Sequence, residues 1–257
     1  MHTAYGIQLT AVFLLGLLLG SFSSVLIHRT RTGEKGIITG RSQCPHCHHP
    51  LAVGDLIPVL SYVFLRGKCR YCKKKFSVFY PTLELVMGIS FLLTTWWAGE
   101  VNYWVLATYL IMTFAFVLMS VYDGLYQEVP DIFSLPTALF CLIVFPVLGL
   151  YGPWDGLLGL IVPTLFFGLL FFGSRGKWLG GGDLRIGLIM GAVLGYPMVI
   201  LGLFLGYVFG AVFSVVGLLT KKVTRKSKIP FAPFLLLGTY VTLFAGPQIW
   251  AWYFSFL

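Results

Sequence analysis

YWVLATYLIMTFAFVLMSVYD, residues 103–123, runs without a charge until it stops at Asp123. A spanning helix needs about 20 predominantly apolar residues, so this stretch reads as a membrane helix with an acid at its end. A second stretch, WLGGGDLRIGLIMGAVLG at 178–195, places Asp183 at the start of another apolar run. Only nine of the 257 residues are Asp or Glu. Ionisable groups at membrane depth are costly and mark function. Two carboxylates able to share one proton form a general acid–base device that can activate water. The pair therefore points to a hydrolase working at a membrane edge.

The same reading extends along the chain, which is 58% hydrophobic and 11% charged. Spans are expected at 6–27, 82–98, 103–121, 132–150, 156–173, 184–198, 199–219 and 231–253. The fold class is an all-α polytopic membrane protein of about eight transmembrane helices, with a small cytoplasmic zinc-ribbon-like insertion. Three parts are expected: 1–28 as a first transmembrane helix, 29–81 as the insertion, and 82–257 as a seven-helix membrane domain. The first span is read as a retained anchor, because its apolar core is long and no basic residue precedes it.

Ten of the 18 Lys and Arg fall in 28–80, and the rest cluster at 175–185 and 221–228. With eight spans, all three clusters share one face, and the loops at 99–102, 151–155 and 196–198 carry none. That alternation satisfies the positive-inside rule and puts Asp123 and Asp183 on the cytoplasmic side. The net charge of +9 is explained by topology and by anionic lipid, so membrane lipid is an expected partner and nucleic acid is not.

The insertion holds Cys44-Pro-His-Cys47 and Cys69-Arg-Tyr-Cys72, separated by 21 residues. Two such knuckles fit a tetrahedral zinc site. Disulfides are the alternative, and a reducing cytoplasm argues against them. His46, His48 and His49 are expected to be solvated. Four thiolates leave no open position, so the zinc is expected to be structural. Cys141 reads as a small buried hydrophobe.

Gly180, Gly181 and Gly182 remove every side chain ahead of Asp183, which lets backbone or substrate approach. The blander role for Asp183, and the preferred one for Asp131 after Pro130, is helix N-capping. Asp123 stands at a helix C-terminus, where the macrodipole disfavours a negative charge. It is the member expected to hold the shared proton. A proton-coupled transporter is a rival class, but no internal repeat is visible and the acids lie at the edge rather than the midplane. A zinc-bearing assembly protein is another, and it leaves GGGD unexplained.

In these motifs the chain resembles the bacterial type IV prepilin peptidases, membrane aspartic proteases of the GxGD class. The resemblance rests on GSFSSVLIHR at 20–29, the two CxxC pairs, DLIPVLSYVFLRGKCRYC at 55–72, YPTLE at 80–84, DGLYQEVPD at 123–131 and GGGD at 180–183. It implies that Asp123 and Asp183 are catalytic. It implies cleavage of the leader of prepilins or pseudopilins after Gly, on the cytoplasmic side of the bacterial inner membrane. It further implies N-methylation of the new terminus from S-adenosylmethionine, with that activity near 20–29 and 44–84. Glu84, just inside the membrane boundary, is the acid singled out for methyl transfer. Its blander reading is a first-turn or snorkelling carboxylate. Ser24 stands where many relatives carry Asn, which leaves a peptidase without methyl transfer as the alternative.

Overall fold

The computed structural model describes residues 2–33, 40–177, 180–224 and 227–256. Lys35, Arg225 and Lys226 of the basic clusters, and Trp178 and Leu179 ahead of the glycines, lie outside the described residues. The described residues form nine α-helices: α1 (His2–Thr32), α2 (Leu60–Phe64), α3 (Phe79–Ala98), α4 (Tyr103–Tyr126), α5 (Asp131–Val147), α6 (Pro153–Gly173), α7 (Gly181–Leu194), α8 (Met198–Leu219) and α9 (Ala232–Phe254). Among them no strand forms; the insertion has only two isolated bridges.

Each expected span coincides with a helix. Five helices, α1, α4, α6, α8 and α9, are long and apolar enough to cross a membrane. The protein is thus a multi-pass membrane protein, but about eight crossings are not established. α7 has 14 residues, which at 1.5 Å per residue is roughly 21 Å, short of the hydrocarbon core. The turn signal at 195–197 is real. α7 ends at Leu194, Gly195 takes φ +63° with its N–H on the Gly191 carbonyl, and α8 begins at Met198. With ψ near 180° at this positive φ, the backbone occupies a region essentially open to glycine alone, and the helix stops there.

The chain divides into two compact units, Met1–Leu118 and Met119–Leu257. In the first, α1 packs along α3. A Cβ on Gly20 would lie 2.6 Å from the Glu84 Cα, and one on Gly16 would lie 2.7 Å from the Gly88 Cα. This Gly-x-x-x-Gly seam lets two backbones meet where lipid supplies no hydrophobic drive between helices. Val12, Met87 and Phe91 fill the core beside it. Thr94 and Thr113 share a buried 3.0 Å hydrogen bond.

The second unit is built around α7, which touches α5, α6, α8 and α9. Ile186, Ile189 and Met190 are fully buried. Enclosure by other helices accounts for a helix too short to face lipid along its length. Glycines again set the spacing. A Cβ on Gly191 would sit 2.4 Å from the Gly159 carbonyl oxygen, and one on Gly238 would sit 2.5 Å from the Gly206 nitrogen.

Gly238→Ala should therefore force α8 from α9 and cost about 1–3 kcal/mol, read as a lower midpoint of thermal unfolding in detergent. Gly168→Ala, where an added methyl meets nothing within 4 Å, should be neutral or slightly stabilising. Equal midpoints for the two variants would contradict this account of the seam.

Candidate functional site

Asp123 lies in the last turn of α4 and is 6% exposed. Its Oδ2 accepts the backbone N–H of Ala232 at 3.1 Å. Ala232 is the first residue of α9. The carboxylate thus faces the positive end of a helix remote in sequence, which offsets the unfavourable dipole of its own. Its backbone carbonyl is also used, by the Gln127 N–H at 2.8 Å.

Asp183 sits in the first turn of α7, where Gly180, not Asp183, is the capping position. Its carboxylate turns back to the Gly180 backbone, and its charge interacts with that of Asp123. The two acids expected to work together are therefore brought within electrostatic reach of one another. Tyr207 of α8 also feels the Asp183 charge, and its ring packs edge-on against Phe166 and Phe231. Neither Tyr207 nor the Ala232 N–H carries any local signal in the sequence.

Of the three glycines, Gly182 is the one hemmed in: a Cβ there would lie 3.0 Å from Val129 Cγ2. Gly182 thus lets the first turn of α7 lie against the loop between α4 and α5. Asp131 is not the N-cap; Pro130 holds that position and makes no side-chain cap. Asp131 is in the first turn, and its two oxygens accept both arms of the Arg185 guanidinium, the second at 3.0 Å. This planar, bidentate contact ties the start of α5 to the start of α7. Gln127 donates its side-chain amide to the Lys228 carbonyl at 3.1 Å, joining the same loop to the segment before α9.

In the insertion, Cys44, Cys47, Cys69 and Cys72 place their sulfurs within 4.8 Å of one another. The two knuckles repeat one backbone device. Cys44 N–H donates to the His49 carbonyl and His48 N–H returns to Cys44; Cys69 and Lys74, and Lys73 and Cys69, do the same. His48 and Lys73 take positive φ at matching positions, and bridges Gln43↔Pro50 and Lys68↔Lys75 close each knuckle. Cys44 and Cys72 Sγ are 3.9 Å apart, far from a disulfide and close to the roughly 3.8 Å edge of a tetrahedron with 2.3 Å zinc–sulfur bonds. Burial works against the Cys44 thiolate, yet backbone donors at His46 and Cys47 bring its pKa down to about 7. His46, His48 and His49 are exposed and outside the cluster, and His49 packs on Tyr71 with ring centroids 3.8 Å apart. Cys141 is fully buried, as expected.

Beside the cluster, still in the first unit, lies a cavity of about 730 Å³. Ser21, Ser24 and His28 of α1, Tyr62 and Arg70 of the insertion, and Glu84 are among its walls. That volume is within the range of small-molecule sites. Glu84 is neither a first-turn nor a snorkelling carboxylate. It is 8% exposed, in the second turn of α3, and its Oε2 accepts the Val59 N–H at 2.7 Å. Ser21 reaches the same carboxylate. Val59 adopts φ +60°, a costly conformation for a β-branched residue.

Known proteins bear on both sites. The Bacterial Peptidase A24 N-terminal domain family matches residues 14–98, and the Type IV leader peptidase family matches residues 109–215. The chain is 30% identical to a prepilin leader peptidase/N-methyltransferase of Stutzerimonas stutzeri, over 94% of this chain and 92% of that one. It is 30% identical to the protein of that name in Bacillus subtilis (strain 168), over 96% and 98%. It is 31% identical to the one in Burkholderia pseudomallei (strain 1026b), over 94% and 86%. No solved structure matches the chain.

Proposed function

The chain belongs to the family of bacterial prepilin leader peptidase/N-methyltransferases, and from that premise we propose that Asp123 and Asp183 are its catalytic pair. The enzyme is an aspartic endopeptidase that removes the leader of type IV prepilins or pseudopilins. The observation that carries the assignment is the convergence of two acids from α4 and α7 at a protein-lined position, one of them held by the N–H of a third helix.

Cleavage needs one carboxylate ionised and one protonated. The ionised member takes a proton from water while the resulting hydroxide adds to the scissile carbonyl carbon. The protonated member donates its hydrogen to the carbonyl oxygen. The proton taken from water then passes to the departing amine as the C–N bond breaks, a hydroxyl of the tetrahedral intermediate returns its proton to the other carboxylate, and the pair is back in its starting state. Because the charges interact, the two acids titrate as a unit. Gly before the cut makes local unwinding of a helical substrate easy. Gly180, Gly181 and Gly182 leave room for that strand beside Asp183. Charge distribution supports the inner membrane and a cytoplasmic site, with leaflet lipid meeting the basic loops.

The cysteine cluster would hold a structural zinc through Cys44, Cys47, Cys69 and Cys72. Its four sulfurs suit that ion, and it has no part in hydrolysis. The cavity would take S-adenosylmethionine, which supplies an electrophilic methyl group when bound. Glu84, Ser21 and His28 would line its place, with Glu84 orienting the new amine. In this division of labour, the insertion at 29–81, with the cavity-lining residues of α1 and α3 beside it, serves methyl transfer, and the later helices that carry Asp123 and Asp183 serve proteolysis. One observation favours a peptidase-only reading. The Ser24 hydroxyl donates to the Ser21 carbonyl at 2.7 Å, so it offers the cavity less than an amide would.

Asp123→Asn and Asp183→Asn should each lower leader cleavage by at least about 10³-fold while the protein still inserts. Asp131→Ala, which loses an exposed ion pair, should retain measurable cleavage. Full activity in either Asn variant, read by intact mass of the pilin, would sink the assignment.

Protein purified under reducing conditions should contain one zinc per chain. Cys69→Ser should lose it and unfold the insertion, because metal binding and folding are linked there. Elemental analysis finding no zinc in the wild type would overturn the site.

Glu84→Gln can still accept the Val59 N–H, so it separates chemistry from loop support. With excess S-adenosylmethionine it should cut the gain of one methyl on mature pilin by about tenfold or more without slowing leader removal. A wild-type enzyme that cleaves fully and never adds methyl mass is a peptidase only.

A further inference from the structure

The insertion presents two faces around α2. Leu60, Val63 and Phe64, spaced i, i+3 and i+4, share one side and are 54%, 63% and 80% exposed. Val53, 85% exposed, and Ile57, 47% exposed, extend this apolar character upstream. Ser61, Tyr62 and Leu65 turn the other way and wall the cavity. The helix is fixed at its entrance, where Glu84 holds the Val59 N–H and Val59 takes its positive φ. The outward turn of the apolar side is therefore built in and not a frayed end.

The charge around this ridge has one sign. Arg66, Lys68, Lys73, Lys74 and Lys75 are exposed. Between 40 and 78 the chain has a single acid, Asp55. Its side chain is 2% exposed and is already engaged by Arg70 at 2.7 Å. Nothing acidic in the described insertion is left to neutralise the exposed cations. An apolar ridge amid cations is the signature of a surface that rests in a headgroup layer, with aliphatic and aromatic tips below the phosphates and ammonium groups among them. The chain's path keeps it near that layer. The insertion leaves α1, a membrane-spanning helix, and Val78 passes directly into α3, which packs along α1.

We infer that α2 and residues 53–57 form a docking surface for an anionic phospholipid leaflet, so that the outer side of α2 lies in the interface while its inner side walls the cavity. A ridge with one aromatic ring, Phe64, among aliphatic chains does not supply the series of stacking planes and hydrogen-bond partners that successive bases need. The inference rests on the membrane placement of the chain and is independent of the reaction assigned to the cavity.

The test uses full-length protein in nanodiscs of phosphatidylcholine, with or without roughly one quarter phosphatidylglycerol. A photoreactive p-benzoylphenylalanine replaces Phe64, or Tyr62 as the inward-facing control. Leader cleavage in each protein confirms that it is folded. Lipid adducts at 64 should exceed those at 62 by at least about fivefold, and should rise about twofold or more when phosphatidylglycerol is present. In wild-type protein, with no substitution at all, hydrogen exchange across 57–64 should slow on adding phosphatidylglycerol. Equal adduct yields at both positions, adducts to prepilin in place of lipid, or exchange unmoved by the anionic lipid would overturn the docking surface. Each of these leaves the peptidase assignment standing if cleavage persists.

Discussion

A carboxylate removed from water must find a donor, and in this molecule the Ala232 N–H at 3.1 Å from Asp123 Oδ2 meets that demand. Much of the second unit can be understood from that one contact. Asp123 belongs to α4 and Ala232 to α9, 109 residues apart. Their meeting fixes where α9 begins and hence where α8 must turn. Asp183 is served differently, by the N-terminal end of the helix it starts. Each acid therefore faces the positive end of a helix, which lets a second negative charge approach the first.

That arrangement depends on close backbone packing. α9 reaches Asp123 while lying against α8 because Gly202, Gly206 and Gly238 leave no side chains between them. α7 holds Asp183 in place because Gly159 and Gly191 admit α6, and because α5 is tied to it through Asp131 and Arg185. The first unit uses the same device for another purpose. Gly16 and Gly20 bring α1 onto α3, and Glu84 consequently stands beside Ser21 at the wall of the cavity. Glycine in a helix weakens it in isolation, and here that weakness is exchanged for contact between backbones.

The sequence was most informative where chemistry is local. Two CxxC pairs at a fixed spacing need no tertiary knowledge, and the four sulfurs do converge. An acid at the end of an apolar run is equally visible, and so is the turn at 195–197. A site near Glu84 and 20–29 was expected from the family resemblance alone; nothing local in those residues shows that Glu84 is buried or that a cavity opens beside it. Long-range partners were not legible either. Ala232, Tyr207 and the Arg185 clamp carry no local pattern that points to an aspartate. Asp131 reads as an N-cap because it follows proline at a helix start, yet Arg185 claims its side chain. α7 reads as a span because its residues are apolar, but apolarity alone cannot distinguish lipid on the outside from other helices on the outside. Positive φ at Val59 was likewise hidden, since valine is among the residues least suited to it.

The central claim is that two interacting carboxylates, one ionised and one protonated, do the work of cleavage. Its most direct test is the pH dependence of kcat/KM for leader removal by the detergent-solubilised enzyme. The account predicts a bell-shaped profile with one limb for each macroscopic ionisation of the pair. A flat or single-limbed profile across the range where the enzyme stays folded would contradict it.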